Sequence, residues 1–258
     1  MSETPSNAII VQNVSRRFGA EVRALTDVSF SVPQGQFVSL IGPSGCGKTT
    51  VLNMIAGIVP VHEGKISIHG EQPRAGRQDV AYMLARDALL PWRTAIGNAE
   101  FAAEVRGVRV PVRRSRAKQI LQQVGLAGFE DVFPKALSHG MRQRVALART
   151  FCLESPVLLM DEPFGALDAQ TKLQLEDVLL SLWMSERRTV VFVTHDLAEA
   201  ILISDRVIVM TRRPGRIQAD IAINLPRPRS VGDLQRDPAY HELYANVWAQ
   251  LEMGLKPN

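Results

Sequence analysis

The stretch Gly-Pro-Ser-Gly-Cys-Gly-Lys-Thr-Thr at residues 42–50 decides the fold of this chain. It satisfies the pattern G-x-x-x-x-G-K-[ST], and it lies between the apolar run Gln36–Ile41 and a helix-forming segment at Thr49–Gly57. Glycines let the backbone curl so that successive N–H groups point inward, and the following helix adds the positive end of its dipole. The stretch therefore predicts a strand, a phosphate-binding loop and a helix, in that order.

Two residues of this loop have predicted roles with ATP and its Mg²⁺ ion. Lys48 would bridge the β- and γ-phosphates, and the Thr49 hydroxyl would ligate Mg²⁺. The alternative is a glycine-rich turn that matches the pattern by chance, which the flanking strand and helix argue against. The residues predicted to bind ATP in this loop are Gly42, Pro43, Ser44, Gly45, Cys46, Gly47, Lys48, Thr49 and Thr50.

A second chemical signal is the run Val-Leu-Leu-Met-Asp-Glu at residues 157–162. A buried strand that ends in a carboxylate places Asp161 at the carboxyl edge of the sheet, where it would ligate Mg²⁺. Glu162 comes one residue later, where it would polarise the attacking water as a general base. The alternative is a strand that reaches solvent at its acidic end. Together with the phosphate-binding loop, the run favours nucleotide hydrolysis.

The rest of the chain alternates strands with helices, which predicts an α/β fold with a parallel sheet covered by helices. The predicted strands are Ala8–Val14, Val28–Val32, Gln36–Ile41, Lys65–Ile68, Pro156–Met160, Thr189–Thr194 and Arg206–Met210. The predicted helices are Thr49–Gly57, Arg113–Val124, Met141–Leu153, Leu173–Met184, Asp196–Ile203 and Asp237–Leu255. We expect one domain, with a core lobe at 7–83 and 156–224, an inserted helical lobe at 84–155, and a tail at 225–258.

Composition excludes several classes without naming a function. With 46% hydrophobic and 22% charged residues in 258, the chain is typical of a folded globular protein. The sequence shows no apolar run long enough to span a bilayer and no signal segment at its start, so we expect it to stay in the cytosol. Cys46 and Cys152 predict no disulfide framework. The densest basic cluster, Arg113, Arg114 and Arg116, has no interleaved aromatic residues, so we expect no nucleic-acid partner.

In these motifs the chain resembles the ATP-binding cassette family, and further segments follow in the family's order. They are Ser15–Gly19 before the loop, Leu137–Arg144 before the acidic strand, Phe164–Asp168 after it, and Val193–Asp196 at the end of the next strand. The resemblance covers at least Ile9 to Gly215. It implies a P-loop NTPase fold with a mostly parallel sheet core, an N-terminal antiparallel β portion and an inserted helical subdomain.

The resemblance also implies roles for individual residues in a head-to-tail pair of chains. Phe18 would stack on adenine, and His195 would hydrogen-bond the γ-phosphate, although a histidine at a strand end is also an ordinary structural residue. Ser138 and Gly140, with His139 between them, would grip the γ-phosphate bound to the other chain. The loop that ends at Asp168 would lie at the interface between the chains.

Two positions depart from the family's pattern. His139 stands where the family usually has glycine. Ala85 stands where the family has a glutamine that touches Mg²⁺ and the attacking water, so slow or differently coupled hydrolysis is a hypothesis. Arg86 or Asp87 could substitute for that glutamine.

The segment Leu-Leu-Pro-Trp at 89–92 is similar to cassettes of the nitrate, sulfonate and taurine importer group. The resemblance implies an integral membrane permease as partner, fed indirectly by a solute-binding protein, with the cassette on the cytoplasmic face of the membrane. Leu89, Leu90 and Trp92 would then line a groove for a permease helix. The alternative is that these side chains belong to the core.

Two other functions remain open at this point. One is a soluble mechanochemical ATPase, although such relatives carry a long coiled coil or a second cassette, and this sequence shows neither. The other is a regulatory subunit that binds ATP without efficient turnover, suggested by Ala85 and His139. The tail from Leu225 could serve dimer contact, regulation or packing.

Overall fold

The computed structural model describes residues 6–19, 22–165, 167–234 and 236–256. The chain divides into two compact units, one of Met1–Arg77 with Arg188–Asn258 and one of Gln78–Arg187. Ala166, in the predicted interface loop, lies outside the described residues, as do the first five residues and the last two. The lobe boundaries predicted from the sequence stay a prediction.

The first unit contains an antiparallel sheet of three strands in the order β2-β1-β4. The alternating burial of β1 places Ile9 and Val11 in the core, and β1 pairs with β2 on one side and β4 on the other. This sheet is the predicted N-terminal antiparallel β portion. Its strands are β1 (Asn7–Phe18), β2 (Val22–Pro33) and β4 (Glu63–Ile68).

A second, mostly parallel sheet forms the core of the same unit. Strand β3 pairs in parallel with β7 and β8, and β9 is antiparallel to β8. Every residue of β3 and β7 is buried, as expected for strands covered on both faces. These strands are β3 (Phe37–Ile41), β7 (Thr189–Val193), β8 (Arg206–Met210) and β9 (Ile217–Ala222). The helices of the unit are α1 (Lys48–Ile55), α7 (Leu197–Ile203), α8 (Val231–Leu234) and α9 (Pro238–Leu255).

The second unit combines one parallel strand pair with the helical segment. Val80 to Met83 of one strand lie in register with Val157 to Met160 of the other. The strands are β5 (Val80–Met83) and β6 (Val157–Asp161). The helices are α2 (Ala95–Ala99), α3 (Phe101–Val105), α4 (Val110–Gln123), a 3-10 turn at Pro134–Ala136, α5 (His139–Cys152) and α6 (Ala169–Glu186).

The predicted fold class is confirmed, and the differences concern short elements. Strands β5 and β9 were not predicted: β5 is an apolar run of only four residues, and in β9 no residue is buried, so neither gives a strong strand pattern. Strand β2 also begins at Val22, six residues before the predicted start. These strand residues are held by pairing with neighbouring strands, and the local pattern of apolar residues does not encode that pairing.

The tail packs against the first unit rather than extending from it. Helix α9 contacts α7, β8 and β9. The buried guanidinium of Arg229 fixes the connection to the tail, and burial lowers the pKa of Arg229 to about 10. The backbone carbonyls that accept its hydrogen bonds are those of Ile201, Leu202, Ser204, Ile223 and Leu225.

The structure also bears on two expectations from the sequence, which concern the cysteines and membrane-spanning segments. Cys46 and Cys152 are both free thiols and both buried. Within the described part of the chain, none of the helices combines the length and the apolar character that crossing a membrane demands.

Candidate functional site

The predicted phosphate-binding loop connects β3 to α1. Strand β3 ends at Ile41, and the helix begins at Lys48 after Gly47. Gly47 has φ of +108°, and a Cβ there would lie 2.5 Å from Leu25 Cδ2. Because an L side chain would meet both backbone strain and a clash, only glycine allows this close turn into the helix. The loop thus brings the backbone of residues 42–47 to the amino end of α1.

Lys48 lies inside this loop. Its side chain is only 4% exposed, and Nζ donates to the carbonyls of Gly42, at 2.8 Å, and Pro43, at 3.2 Å. An ammonium held within a cradle of backbone groups fits an anionic phosphate chain. Thr49 is exposed in the first helical turn, and its hydroxyl is the hard oxygen donor that Mg²⁺ prefers.

His195 follows the strand next to the one that leads into the loop. Leu40 of β3 is in parallel register with Val193 of β7, so the loop and His195 leave the sheet at the same edge. Asp196 caps α7 by accepting from the amide of Glu199 at 3.2 Å, and its own amide donates to Thr194 Oγ1 at 3.0 Å. These bonds fix the backbone around His195, whose side chain is exposed.

Phe18 lies at the end of β1 with 43% of its surface exposed. The guanidinium of Arg16 stands 4.9 Å from the centre of its ring, a cation–π arrangement. Arg16 is held in turn by a hydrogen bond to the Pro60 carbonyl at 3.2 Å. The exposed ring of Phe18 therefore offers a surface on which adenine can stack, which is the role predicted from the sequence.

The acidic residues lie at the end of β6 in the second unit. Asp161 is the last residue of the strand and is buried, and Glu162 follows with φ of +44°. A non-glycine residue in the left-handed region costs about 1–3 kcal/mol and is common at functional sites. Burial raises the pKa of Tyr82, on the paired strand, and the neighbouring charge of Asp161 raises it further. The phenol of Tyr82 therefore stays neutral beside Asp161.

The predicted signature segment begins helix α5. Ser138 Oγ accepts from the amide of Met141 at 3.2 Å as the helix N-cap, and His139 follows it as an exposed residue. A Cβ on Gly140 would lie 2.7 Å from Thr171 Cγ2, so glycine permits close packing of α5 on α6. Ser138 and His139 are both exposed at the N-terminus of α5. The N-terminus of a helix stabilises an anion.

Asp168, in the predicted interface loop, caps the adjacent helix α6. Its Oδ1 accepts from the amide of Thr171 at 3.0 Å. Hydrogen bonds from Thr171, first from its amide and then from its hydroxyl, lower the pKa of Asp168. The signature segment and the Asp168 loop thus meet at Thr171.

Two arginines of α5 were not singled out from the sequence. Arg142 Nε donates to Asp87 Oδ2 at 2.9 Å, and Arg149 donates to the carbonyls of Asp87 and Ala88 at 2.8 Å and 2.9 Å. Because they are seven residues apart, both side chains lie on the same face of the helix. They hold the segment that follows β5, which contains Ala85, against the signature helix. Asp87 is thus engaged in an ion pair.

A family model described as ABC transporter matches residues 25–165, more than half of the chain. The chain belongs to the ABC transporter ATP-binding proteins. Members of this family are ATPases, so the chain is an ATPase that binds ATP. The matched region contains the phosphate-binding loop, the signature segment and the acidic strand.

Named relatives and solved cassettes agree with this assignment. The chain is 41% identical to the taurine import ATP-binding protein TauB of Rhizobium johnstonii, over 91% of each chain. It is 39% identical to the aliphatic sulfonates import ATP-binding protein SsuB of Bacillus cereus, over 95% of this chain and 96% of the relative. A solved dimeric ATP-binding cassette in a post-hydrolysis state, bound to ADP and Pi, superposes with a TM-score of 0.73 at 29% identity, covering 84% of this chain and all of the other.

The structure brings the predicted residues together in two groups, one in each unit. The first unit holds the phosphate-binding loop with Lys48 and Thr49, together with His195 at the same sheet edge and Phe18 on β1. The second unit holds the acidic pair at the end of β6 and the signature helix with its Asp168 neighbour. The individual roles of these residues stay predictions.

Proposed function

We propose that this chain is the ATP-hydrolysing subunit of an import complex, acting on the cytoplasmic face of the membrane beneath an integral membrane permease. A solute-binding protein would deliver a small anionic solute of the taurine, sulfonate or nitrate type. The names of the relatives support import of taurine-like or sulfonate-like solutes, which share a sulfonate group. The dimeric solved cassette supports a dimer as the working unit, and the family resemblance implies that its two chains pack head to tail.

In this pair each ATP is bound by the loop of one chain and the signature segment of the other. Lys48 neutralises the β- and γ-phosphates, while Thr49 and Asp161 supply the oxygen ligands that suit Mg²⁺. Glu162 accepts the proton of the attacking water, and His195 fixes the γ-phosphate. Ser138 and the Gly140 amide of the partner chain complete the site, because a helix N-terminus stabilises the terminal phosphate.

Trp92 is the observation that carries the proposed permease contact. Its side chain is 71% exposed, so it does not belong to the core of its unit. The turn that presents it is rigid, because buried Asn98 accepts from the Leu90 amide at 2.7 Å and donates to the carbonyls of Leu90 and Arg93. A large exposed aromatic ring on a fixed turn is typical of a protein-binding surface.

We expect Trp92→Ala to reduce solute uptake at least tenfold while changing ATP turnover of the isolated chain less than twofold, because truncating a central aromatic anchor typically costs about 2 kcal/mol of binding. Uptake is measured in cells of the source organism that lack the gene and carry each variant. Val105→Ala is the matched control, since Val105 is also 71% exposed and lies in the same unit. Equal losses in both variants would contradict a specific contact at Trp92.

The same cells identify the solute class. Labelled taurine, an alkanesulfonate and nitrate are supplied in turn, and we expect uptake of at least one of them to depend on the gene. If none depends on it, the chain does not serve an importer of this group.

A slow or regulatory cassette is the second candidate, and Ala85 favours it. A methyl group provides neither a Mg²⁺ ligand nor a hydrogen bond to water, and the nearby Asp87 carboxylate is paired with Arg142.

We expect Ala85→Gln to raise kcat for ATP about three- to tenfold, because an amide can orient the attacking water. Steady-state ATP turnover is compared with that of Ala88→Gln, a change of the same kind in the same segment. Unchanged turnover and unchanged uptake in Ala85→Gln would remove this candidate.

A further inference from the structure

The turn between β8 and β9, residues 211–216, packs against the phosphate-binding loop. Gly215 donates its amide to the Ala24 carbonyl at 2.8 Å, and its carbonyl accepts from the Thr26 amide at 3.0 Å. A Cβ on Gly215 would lie 2.1 Å from the carbonyl oxygen of Cys46. Glycine is therefore required here, because any side chain would push the turn off the loop.

Arg213, in the same turn, holds one carbonyl of the loop. Its Nε and Nη2 both donate to the Gly45 carbonyl oxygen, at 3.2 Å and 3.0 Å. Gly45 is an exposed residue at the tip of the loop, and a Cβ there would touch Arg213 Nη2 at 3.4 Å. A charged donor makes these bonds stronger than neutral ones.

The opposite end of the turn is fixed by the tail. The Arg212 amide donates to the Gly254 carbonyl near the end of α9, at 3.0 Å. The Thr211 amide donates to the Arg216 carbonyl at 3.0 Å, which closes the turn. Arg213 therefore projects from a backbone that β2, α9 and its own hairpin all restrain.

The consequence for phosphate binding follows from peptide geometry. In a planar trans peptide the C=O and N–H groups point in opposite directions. Because Arg213 holds the Gly45 carbonyl outward, the Cys46 N–H of the same peptide points into the loop, where it donates to the Pro43 carbonyl at 3.2 Å. When phosphate binds, this N–H can share its long hydrogen bond to Pro43 with a phosphate oxygen, because it already points into the loop.

We propose that Arg213 is a positioning residue of the ATP site, which keeps the Gly45–Cys46 peptide in the orientation that binds phosphate. Arg213 acts through the loop backbone and does not take part in the chemical step. Its removal should weaken nucleotide binding and leave the rate of hydrolysis at saturation unchanged, because ground state and transition state use the same peptide orientation.

The test compares Arg213→Met, which keeps the length of the side chain without a donor, with Arg213→Lys, which keeps a charged donor. We expect Arg213→Met to raise the dissociation constant of a fluorescent ATP analogue and the KM for ATP about fivefold, because one hydrogen bond from the loop to phosphate is weakened. Its kcat should stay within twofold of the starting protein, and Arg213→Lys should restore at least half of the affinity. Arg212→Met, at the exposed neighbouring arginine, is the matched control and should bind normally.

Salt and hydrogen exchange separate this role from simple attraction between charges. A charge effect disappears at about 0.5 M salt, whereas the loss caused by a mispositioned peptide persists. The amide protons of Ser44, Gly45 and Cys46 should also exchange faster in Arg213→Met than in Arg212→Met without nucleotide. The proposal is overturned if the affinity difference vanishes in salt, if kcat falls while KM is unchanged, if Arg212→Met shows the same loss, or if exchange in the loop is unaltered.

Discussion

Glu162→Gln is expected to lower kcat for ATP by roughly 100- to 10,000-fold, the contribution of a general base. The amide cannot accept the proton of the attacking water, but it has nearly the same size and leaves the Asp161 carboxylate in place. We therefore expect the variant to bind ATP as tightly as the starting protein, within twofold.

The control for this change is Glu154→Gln. Glu154 is exposed and precedes the same strand, so its substitution removes a carboxylate of the same unit without touching the end of β6. ATP turnover and nucleotide affinity are measured for both variants. A Glu162→Gln protein that keeps more than a tenth of the turnover would contradict the role of Glu162 as general base.

The loop and acidic strand were readable from sequence because their chemistry is local. The phosphate-binding loop needs glycines, a lysine and a hydroxyl within nine residues, and the acidic strand needs an apolar run with two carboxylates after it. Strands β3 and β6 are continuous apolar runs, which predict buried parallel strands. Where one segment contains both the apolar strand pattern and the chemically active residues, the sequence alone is sufficient to predict that part of the site.

The contacts of Arg213 and Arg142 were not readable in the same way. Arg213 is 168 residues from Gly45, and Arg142 is 55 residues from Asp87. Each pairing depends on which elements the fold brings together, and an arginine in a polar turn or on a helix has no local mark that distinguishes it. The same reason explains Trp92: the sequence left core and surface open, and the 71% exposure of its side chain in the folded chain decides for the surface.

The left-handed backbone of Glu162 is a third feature that only the structure supplies. Its φ of +44° departs from the usual preference of glutamate, and no local sequence pattern indicates it. The Gly165 amide donates to the Glu162 carbonyl at 3.2 Å, so the turn after β6 holds this conformation. The backbone strain thus falls on the residue to which we assign proton transfer, in agreement with the clustering of strained residues at active sites.

Two inactive variants, mixed together, are expected to regain ATP turnover if the chains pair head to tail. Lys48→Ala removes the proposed phosphate contact. Gly140→Asp places a negative charge in the signature segment, and its Cβ would lie 2.7 Å from Thr171 Cγ2. Each variant alone carries one defect in both of its composite sites, so each should turn over ATP at least 100-fold more slowly than the starting protein.

In a mixed pair the two defects fall into the same composite site, and the other site is intact. Random pairing makes about half of the dimers mixed, and each has one intact site of two, so recovery should reach roughly a quarter of the original turnover if the sites act independently. Turnover of an equimolar mixture is measured against the sum of the separate variants, with Lys48→Ala mixed with Glu162→Gln as the control. If the proposed roles hold, Lys48 and Glu162 of one chain serve the same ATP, so that control leaves every site with a defect and should recover no activity. Recovery in both mixtures, or in neither, would contradict the head-to-tail site.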